Sequence, residues 1–475
     1  MNRRHFLATG AAAVAGTVGG VLIGRSLPRT LAREARGADL AEPPVRTSVS
    51  GVLDTTLTPQ LGPSTVAGKR VTARVYDGGF PGPTLRVRAG DRLHVHLANH
   101  LAEHTNLHVH GLHVSPRGES DNVFVHVRAG GRFTYEYAIP PDHPAGLYWY
   151  HPHAHGVANQ QINNGMAGAI VIEGDLDRLP GVAELTERLL VLQATQFDAG
   201  GVVLPTGKQT NDTWLRLVNG QLNPTLRMRP GETQRWRILN ASAGAFYNLA
   251  LAGHRVAQIA KDGNTLATPW TRDEIVLSPG ERVEVLVQAA APGVYELRTL
   301  PFGQGFQTMR DVVLATVVIE GAAVTPSALP ATLLPFTDLR RDAVSRRREI
   351  VFDTAPGPPT TEATHYMVSG KRFDPARVDQ VVRLGTTEEW TLRNATDEWH
   401  PFHIHVNPFQ VVAMNGEPVP ARYHEDTVNV PPGESITMRT RFRDFTGRYV
   451  YHCHLIFHED DGMMGVVEVV QGTSV

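Results

Sequence analysis

The sequence predicts an all-β protein built as three consecutive β-sandwiches, and three observations carry that prediction. Proline (33) and glycine (45) are plentiful while long helical periodicities are rare, which favours short strands joined by turns. With an N-terminal segment set aside, about 430 residues remain, too many for one core and suited to three domains at roughly 150 residues each. The chain also repeats itself. Residues 90–99, 231–240 and 385–394 each open on a glycine, run through an alternating strand and close on an asparagine. A second triplet, Gly146-Leu147-Tyr148, Gly293-Val294-Tyr295 and Gly447-Arg448-Tyr449, follows strands that open near Gly130, Gly280 and Gly433.

Taken in order, residues 1–37 read as a twin-arginine export signal: Arg3 and Arg4, then Phe6-Leu7, then an apolar Ala/Gly/Val run. A membrane anchor competes, since about eighteen residues can just span a bilayer, but four glycines dilute the run. Ala35-Arg36-Gly37 is the nearest small-x-small triplet to a cleavage site. Twin-arginine machinery exports folded proteins, which suits a chain that must acquire metal before crossing. The expected location is periplasmic or extracellular and the expected state a monomer. Residues 1–37 carry six arginines and one glutamate, so their removal takes the formal charge from −2 to −7. No basic field for nucleic acid remains. A single cysteine in an exported chain also excludes a disulfide framework.

The three repeats are expected over residues 45–175, 186–322 and 346–472, joined where the patterning fades, at 173–187 and 321–348. The first carries the pairs His108/His110 and His151/His153; the third carries His400/His403/His405 and His452/Cys453/His454/His458. Two histidines separated by one residue on a strand project from one face, so four such pairs supply eight imidazoles. Where the outer repeats have these residues, the middle one has Tyr247-Asn248-Leu249-Ala250-Leu251. It is therefore expected to be scaffold without ligands, a spacer that also contributes surface. His94 and His96 have the same spacing, but their counterparts are Arg235/Arg237 and Glu389/Thr391, which marks them as a decoy. His113, His143 and His155 lie near the clusters without a partner at ligand spacing.

The densest chemistry is in residues 451–463, Tyr-His-Cys-His-Leu-Ile-Phe-His-Glu-Asp-Asp-Gly-Met. In a strand, His452 and His454 share one face and Cys453 takes the other, so a thiolate faces one metal and imidazoles another. A thiolate, two imidazoles and a weak thioether form a blue-copper ligand set, completed here by His458, Met463 and one histidine from elsewhere. An inert buried thiol would need none of these neighbours. Structural zinc takes four ligands and gains nothing from this many. A cupin pairs its histidines with a carboxylate at a single metal. Neither explains a His-Cys-His tripeptide.

On the motifs His108-Val109-His110-Gly111, His151-Pro152-His153, His400-Pro401-Phe402-His403-Ile404-His405 and residues 452–463, the sequence resembles the three-domain multicopper oxidases. That family includes laccases, ascorbate oxidase, bilirubin oxidase and bacterial cuprous oxidases. The resemblance spans residues 45–472 and implies three cupredoxin-like Greek-key β-sandwiches holding four copper ions. By position it makes His400, Cys453, His458 and axial Met463 the type 1 ligands, and His108 and His403 the type 2 ligands. One type 3 copper would take His110, His151 and His454, and the other His153, His405 and His452.

The resemblance further implies a copper-dependent oxidoreductase of laccase type that passes single electrons from a donor, through Cys453, to dioxygen. By likeness to the cuprous oxidases, Asp121 and Glu459 become candidate proton relays. Those enzymes cover the type 1 site with a methionine-rich insertion near the start of the third domain. Residues 353–362 contain no methionine and little room for a helix, so an uncovered site and small aromatic donors, phenols and aromatic amines, are expected. Oxidation of cuprous or other metal ions in copper tolerance is the alternative. A copper-free structural protein is a third reading, against which stands the retention of every ligand. Two-domain nitrite reductases lack both the third repeat and the paired histidines of the second cluster.

Overall fold

The computed structural model describes residues 37–204, 214–305, 307–357 and 364–472. The segment expected to be an export signal, Gly37 excepted, lies outside the described residues, as do residues 358–362 of the segment tied above to donor access. Three β-sandwiches follow one another, and the repeated motifs occupy equivalent strands in each. Strand Arg92–Ala98 lies between parallel Val52–Leu57 and antiparallel Arg132–Ala138. Thr233–Asn240 is flanked in the same way by Thr186–Thr195 and Arg282–Gln288, and Thr386–Asn394 by Val344–Pro356 and Ser435–Phe442.

The motif residues account for that shared geometry. Gly90, Gly231 and Gly385 have φ of 91°, 80° and 81°, a left-handed turn that a side chain would strain. At the other end each asparagine folds back on its own loop: Asn99, Asn240 and Asn394 accept from the N–H two residues on, of Leu101, Ser242 and Thr396. Their amide groups donate to backbone carbonyls across the loop, as from Asn394 to Val430. This is the Asx turn, in which an asparagine or aspartate side chain bonds its own backbone two residues on.

The second sheets are also equivalent. Gly146–His151, Gly293–Leu300 and Gly447–Cys453 each pair with the strand that ends its sandwich, Gly168–Glu173, Val312–Ile319 and Met464–Val470. On their other side lie His108–His110, Tyr247–Leu251 and His400–Ile404. Each sandwich closes around its own apolar cluster; that of the third contains Trp390, Phe402, Tyr451, Cys453 and Met463, all buried. The first and third sandwiches also meet directly, where Val123 packs with Val450, Met464 and Val466. Ala158, Ile162, Ala243 and Ile456 form a small cluster drawn from all three. The histidine-bearing strands of the outer sandwiches are thereby brought face to face.

Candidate metal centres

The first centre lies inside the third sandwich. Cys453 ends strand Gly447–Cys453, which pairs antiparallel with His400–Ile404. The short helix Ile456–Asp461 then returns His458 toward the cysteine. Cys453 Sγ is 3.4 Å from His400 Nδ1 and 3.6 Å from His458 Nδ1, and the two nitrogens are 3.2 Å apart. The centre of such a triangle is about 2 Å from each corner, close to the bond length of a first-row metal to nitrogen or sulfur. His400 Nε2 donates outward to Thr396 Oγ1 at 2.7 Å, which leaves Nδ1 bare toward the centre. Burial pushes the Cys453 thiol well up and both imidazoles well down. A cation at the centre would reverse the first effect and exploit the second. Met463 belongs to the same buried cluster as Cys453, and their backbones are bonded at 3.1 Å, whereas Met464 points into a different cluster.

The second centre lies between the first and third sandwiches. His452 and His454 flank Cys453, and their rings are 5.4 Å apart on the opposite face of the strand. His452 Nε2 lies 3.2 Å from His153 Nε2 and 3.4 Å from His405 Nε2, while His454 Nε2 lies 3.2 Å from His110 Nδ1. His108 stacks on His405 at 3.8 Å and His110 on His403 at 3.7 Å. One nitrogen from each of His108, His110 and His151 lies within 4.8 Å of the others; so do those of His108, His403 and His405, and of His153, His405 and His452. All eight rings are buried, and burial lowers their basicity, to about 4 for His153 and His452. They are therefore neutral, with lone pairs to give. The outer nitrogens of His108, His151 and His403 donate to Asp121, to the Pro152 carbonyl and to the Asp426 carbonyl. Their Nε2 atoms have no hydrogen-bond partner and face the cluster. This donor set fits copper, which imidazole and thiolate ligands suit.

Profiles of the multicopper oxidase family match residues 60–177, 149–320 and 344–473. The chain belongs to the multicopper oxidase family. It is a copper-dependent oxidoreductase that uses dioxygen as its acceptor. The multicopper oxidase mco of Staphylococcus haemolyticus is 28% identical over 404 residues, covering 83% of each chain. A laccase of Bacillus stratosphericus is 26% identical, covering 83% of this chain and 90% of its own. Among solved structures, a multicopper oxidase of Campylobacter jejuni described as a metallo-oxidase superposes with a TM-score of 0.82 at 28% identity. It covers 92% of this chain and 96% of that one.

Around the oxidase's histidines stand residues that spacing did not reveal. Asp121 was named from the sequence, and both its oxygens lie 3.0 Å from His108 Nδ1; burial pushes its carboxyl up to about 8 against the pull of the Val109 N–H. Glu459, also named, lies between His452 Nδ1 at 3.1 Å and His153 Nδ1 at 3.4 Å, and burial raises its carboxyl as well. Asp426 was not anticipated. It faces His110 and His403 and is clasped by Arg282 of the middle sandwich. Burial alone would raise the Asp426 carboxyl, but Arg282 more than offsets this and holds it well below the usual range.

The middle sandwich is thus more than the ligand-free spacer expected. It supplies a buried cation to the cluster, and its Gly280 is close enough that a Cβ there would lie 3.1 Å from His110 and His454. The expectation of an uncovered type 1 site also needs correction. His458 is fully buried, with Tyr366 stacked on it at 3.6 Å and Phe457 edge-on at 4.1 Å. Glu398 Oε2 lies 3.2 Å from His458 Nε2. Neither Tyr366 nor Glu398 belongs to a spaced motif. His94 and His96 lie away from both centres, His96 Nε2 meeting Asp54 at 3.0 Å. His113 and His143 line a cavity of about 310 Å³ behind Gly111, and His155 packs on Phe373.

Proposed function

We propose that this oxidase is laccase-like, coupling one-electron oxidation of phenols and aromatic amines to four-electron reduction of dioxygen to water. In this reading His400, Cys453, His458 and axial Met463 hold a type 1 copper. His108 and His403 hold a type 2 copper, and His110, His151, His454 and His153, His405, His452 a type 3 pair. Bound there, copper supplies the one-electron redox steps, and four ions together match the four electrons that dioxygen needs. The chain's own part is wiring, proton handling and donor choice. Cys453 belongs to the first centre while its neighbours His452 and His454 belong to the second, so one tripeptide joins them. Asp121, bonded to His108, and Glu459, between His153 and His452, are placed to hold protons beside the second centre. Each Glu459 oxygen faces one ring, Oε2 the His452 Nδ1 at 3.1 Å and Oε1 the His153 Nδ1 at 3.4 Å, so a proton on this buried carboxyl would lie beside two histidines of the cluster.

The observation that carries the donor class is the aromatic face over His458. Tyr366 and Phe457 are each half-buried there, their rings 6.0 Å apart, while Trp399, next to His400 in the chain, packs with Phe302 of the middle sandwich at 5.2 Å. Such a face offers stacking to a ring. The Glu398 carboxyl, bonded to Tyr366 and raised by burial, is placed to accept a phenolic proton. The same carboxylate favours a second reading, oxidation of cuprous or other metal ions, because a cation would also seek it. The laccase relative supports the first reading and the metallo-oxidase structure the second. The paired Arg3 and Arg4 support export of the folded chain to the periplasm or beyond.

Dioxygen uptake by copper-loaded protein, with a dimethoxyphenol in one cell and a stabilised cuprous complex in the other, tests the reading. Rapid uptake with the phenol and little with cuprous ion is expected. The reverse pattern would replace it with metal oxidation.

A further inference from the structure

We propose that Asp426, held by Arg282 of the ligand-free middle sandwich, is the positioning residue that gives His110 and His403 opposite tautomers and thereby forms the histidine cluster. The inference rests on the reading that both histidines hold copper. Asp426 Oδ1 accepts from His110 Nε2 at 3.0 Å, so the His110 proton sits on Nε2 and its Nδ1 is bare toward His454. The Asp426 backbone carbonyl accepts from His403 Nδ1 at 2.8 Å, so this ring carries its proton on Nδ1 and its Nε2 is bare. The two rings stack at 3.7 Å yet present different nitrogens to the cluster, and one residue dictates both choices.

Left to itself, Asp426 would be a rival ligand. It shares a group with His110 and His403 in which one donor atom from each lies within 4.8 Å of the others. Arg282 occupies both carboxylate oxygens in a two-pronged contact, Nη1 to Oδ1 at 2.8 Å and Nη2 to Oδ2 at 2.7 Å, which fixes the carboxylate in its orienting role. The guanidinium is itself braced from two sandwiches. Its Nε donates to the Leu147 carbonyl at 3.1 Å and its Nη1 to the Gly280 carbonyl at 3.1 Å. The Arg282 backbone N–H donates to Asp262 Oδ1 at 2.8 Å. The glycine that closes the His108-Val109-His110-Gly111 motif belongs to the same arrangement. A Cβ on Gly111 would come within 2.4 Å of Arg282 Nη2 and 2.5 Å of Asp426 Oδ2.

The full-length chain tests this in two ways. In copper-free wild type, long-range proton–nitrogen spectra of labelled imidazoles should show Nε2–H on His110 and Nδ1–H on His403; the same tautomer on both would overturn the proposal without any mutant. In copper-loaded Asp426→Asn and Arg282→Gln the backbone carbonyl that fixes His403 remains, so the type 1 visible absorption should persist while the type 3 near-ultraviolet absorption, to which His110 contributes, falls at least several-fold and copper per chain drops. Arg282→Lys, which keeps charge but loses the fork, should fall between. Wild-type type 3 absorption in both Asp426→Asn and Arg282→Gln would overturn the proposal. Arg235→Met breaks another buried pair of the middle sandwich, that with Glu284, without touching Asp426. If it strips the type 3 absorption equally, general loosening is the cause and the proposal falls. Failure of wild type to take up copper at all would instead remove the functional reading beneath it.

Discussion

Replacing Gly111 with alanine tests the architecture of the second centre most sharply. Two penalties arise. Gly111 has φ of 85°, and a Cβ in that left-handed region costs about 1–2 kcal/mol. The Cβ would also stand 2.4 Å from Arg282 Nη2, 2.5 Å from Asp426 Oδ2 and 3.0 Å from Tyr148 Cδ1, inside van der Waals contact with both partners of a fully buried ion pair. Parting such a pair costs about 3–5 kcal/mol. The sum, about 4–7 kcal/mol, rivals the whole stability of many domains, about 5–15 kcal/mol. Gly68→Ala provides the reference, because Gly68 has φ of 73° and nothing within 4 Å of its Cβ position. It carries the backbone penalty alone. Thermal unfolding of the two copper-free variants should therefore differ by about 3–5 kcal/mol. If Gly111→Ala falls within about 1 kcal/mol of Gly68→Ala, the Arg282–Asp426 pair does not need the space that the glycine leaves, and the packing argument fails.

Other expectations follow from individual residues. Copper-free protein should lose stability as pH falls from 6.5 toward 4. Burial depresses the folded-state basicity of His153 and His452 to about 4, so stability present above 6.5 is lost as the unfolded chain takes up protons; each contributes about 2 kcal/mol of loss by pH 5, read as a falling unfolding midpoint. Met463→Leu should keep the blue colour and raise the type 1 potential in a redox titration, whereas Met464→Leu, in a different cluster, should leave it unmoved. Asp121→Asn and Glu459→Gln should each slow turnover and shift its pH profile; unchanged profiles in both would end the proton-handling role.

What the sequence disclosed, and what it withheld, divides along a physical line. Groups repeated at strand spacing were legible. The glycine-to-asparagine triplet marked equivalent strands because each asparagine performs the same loop-closing bonds, and the histidine pairs stood out because alternate residues share a face. Arg282 and Asp426 were not legible. They are 144 positions apart, at or beside a strand end, where arginine and aspartate are ordinarily solvated, as is Arg132 at the equivalent position of the first repeat. Comparing the middle repeat with its neighbours showed that ligands were missing but could not show that a supporting cation had been added. Tyr366 and Glu398 escaped for a similar reason. Residues 353–362 contain no methionine, yet a ring does cover His458, that of a tyrosine from strand Thr364–Val368.

The two centres also differ in where their ligands originate, and that difference predicts an order of loss. His400, Cys453, His458 and Met463 all come from the third sandwich, and Cys453 and Met463 are part of its core. The eight remaining histidines are divided, His108, His110, His151 and His153 from the first sandwich and His403, His405, His452 and His454 from the third. Arg282 of the second braces the gap. Any opening between sandwiches therefore disrupts the histidine cluster while the cysteine centre persists until the third core itself melts. Interfaces of this kind open at lower free energy than the cores they join. In copper-loaded protein titrated with urea, the type 2 signal should disappear before the type 1 absorption. Strand pairing reinforces the order, because Phe402 opposite Cys453 sets the strands that carry His400 and Cys453 side by side in one sheet. Simultaneous loss of both signals, or loss of type 1 first, would mean that the interfaces are at least as stable as the third core and that the division of ligands does not govern copper retention.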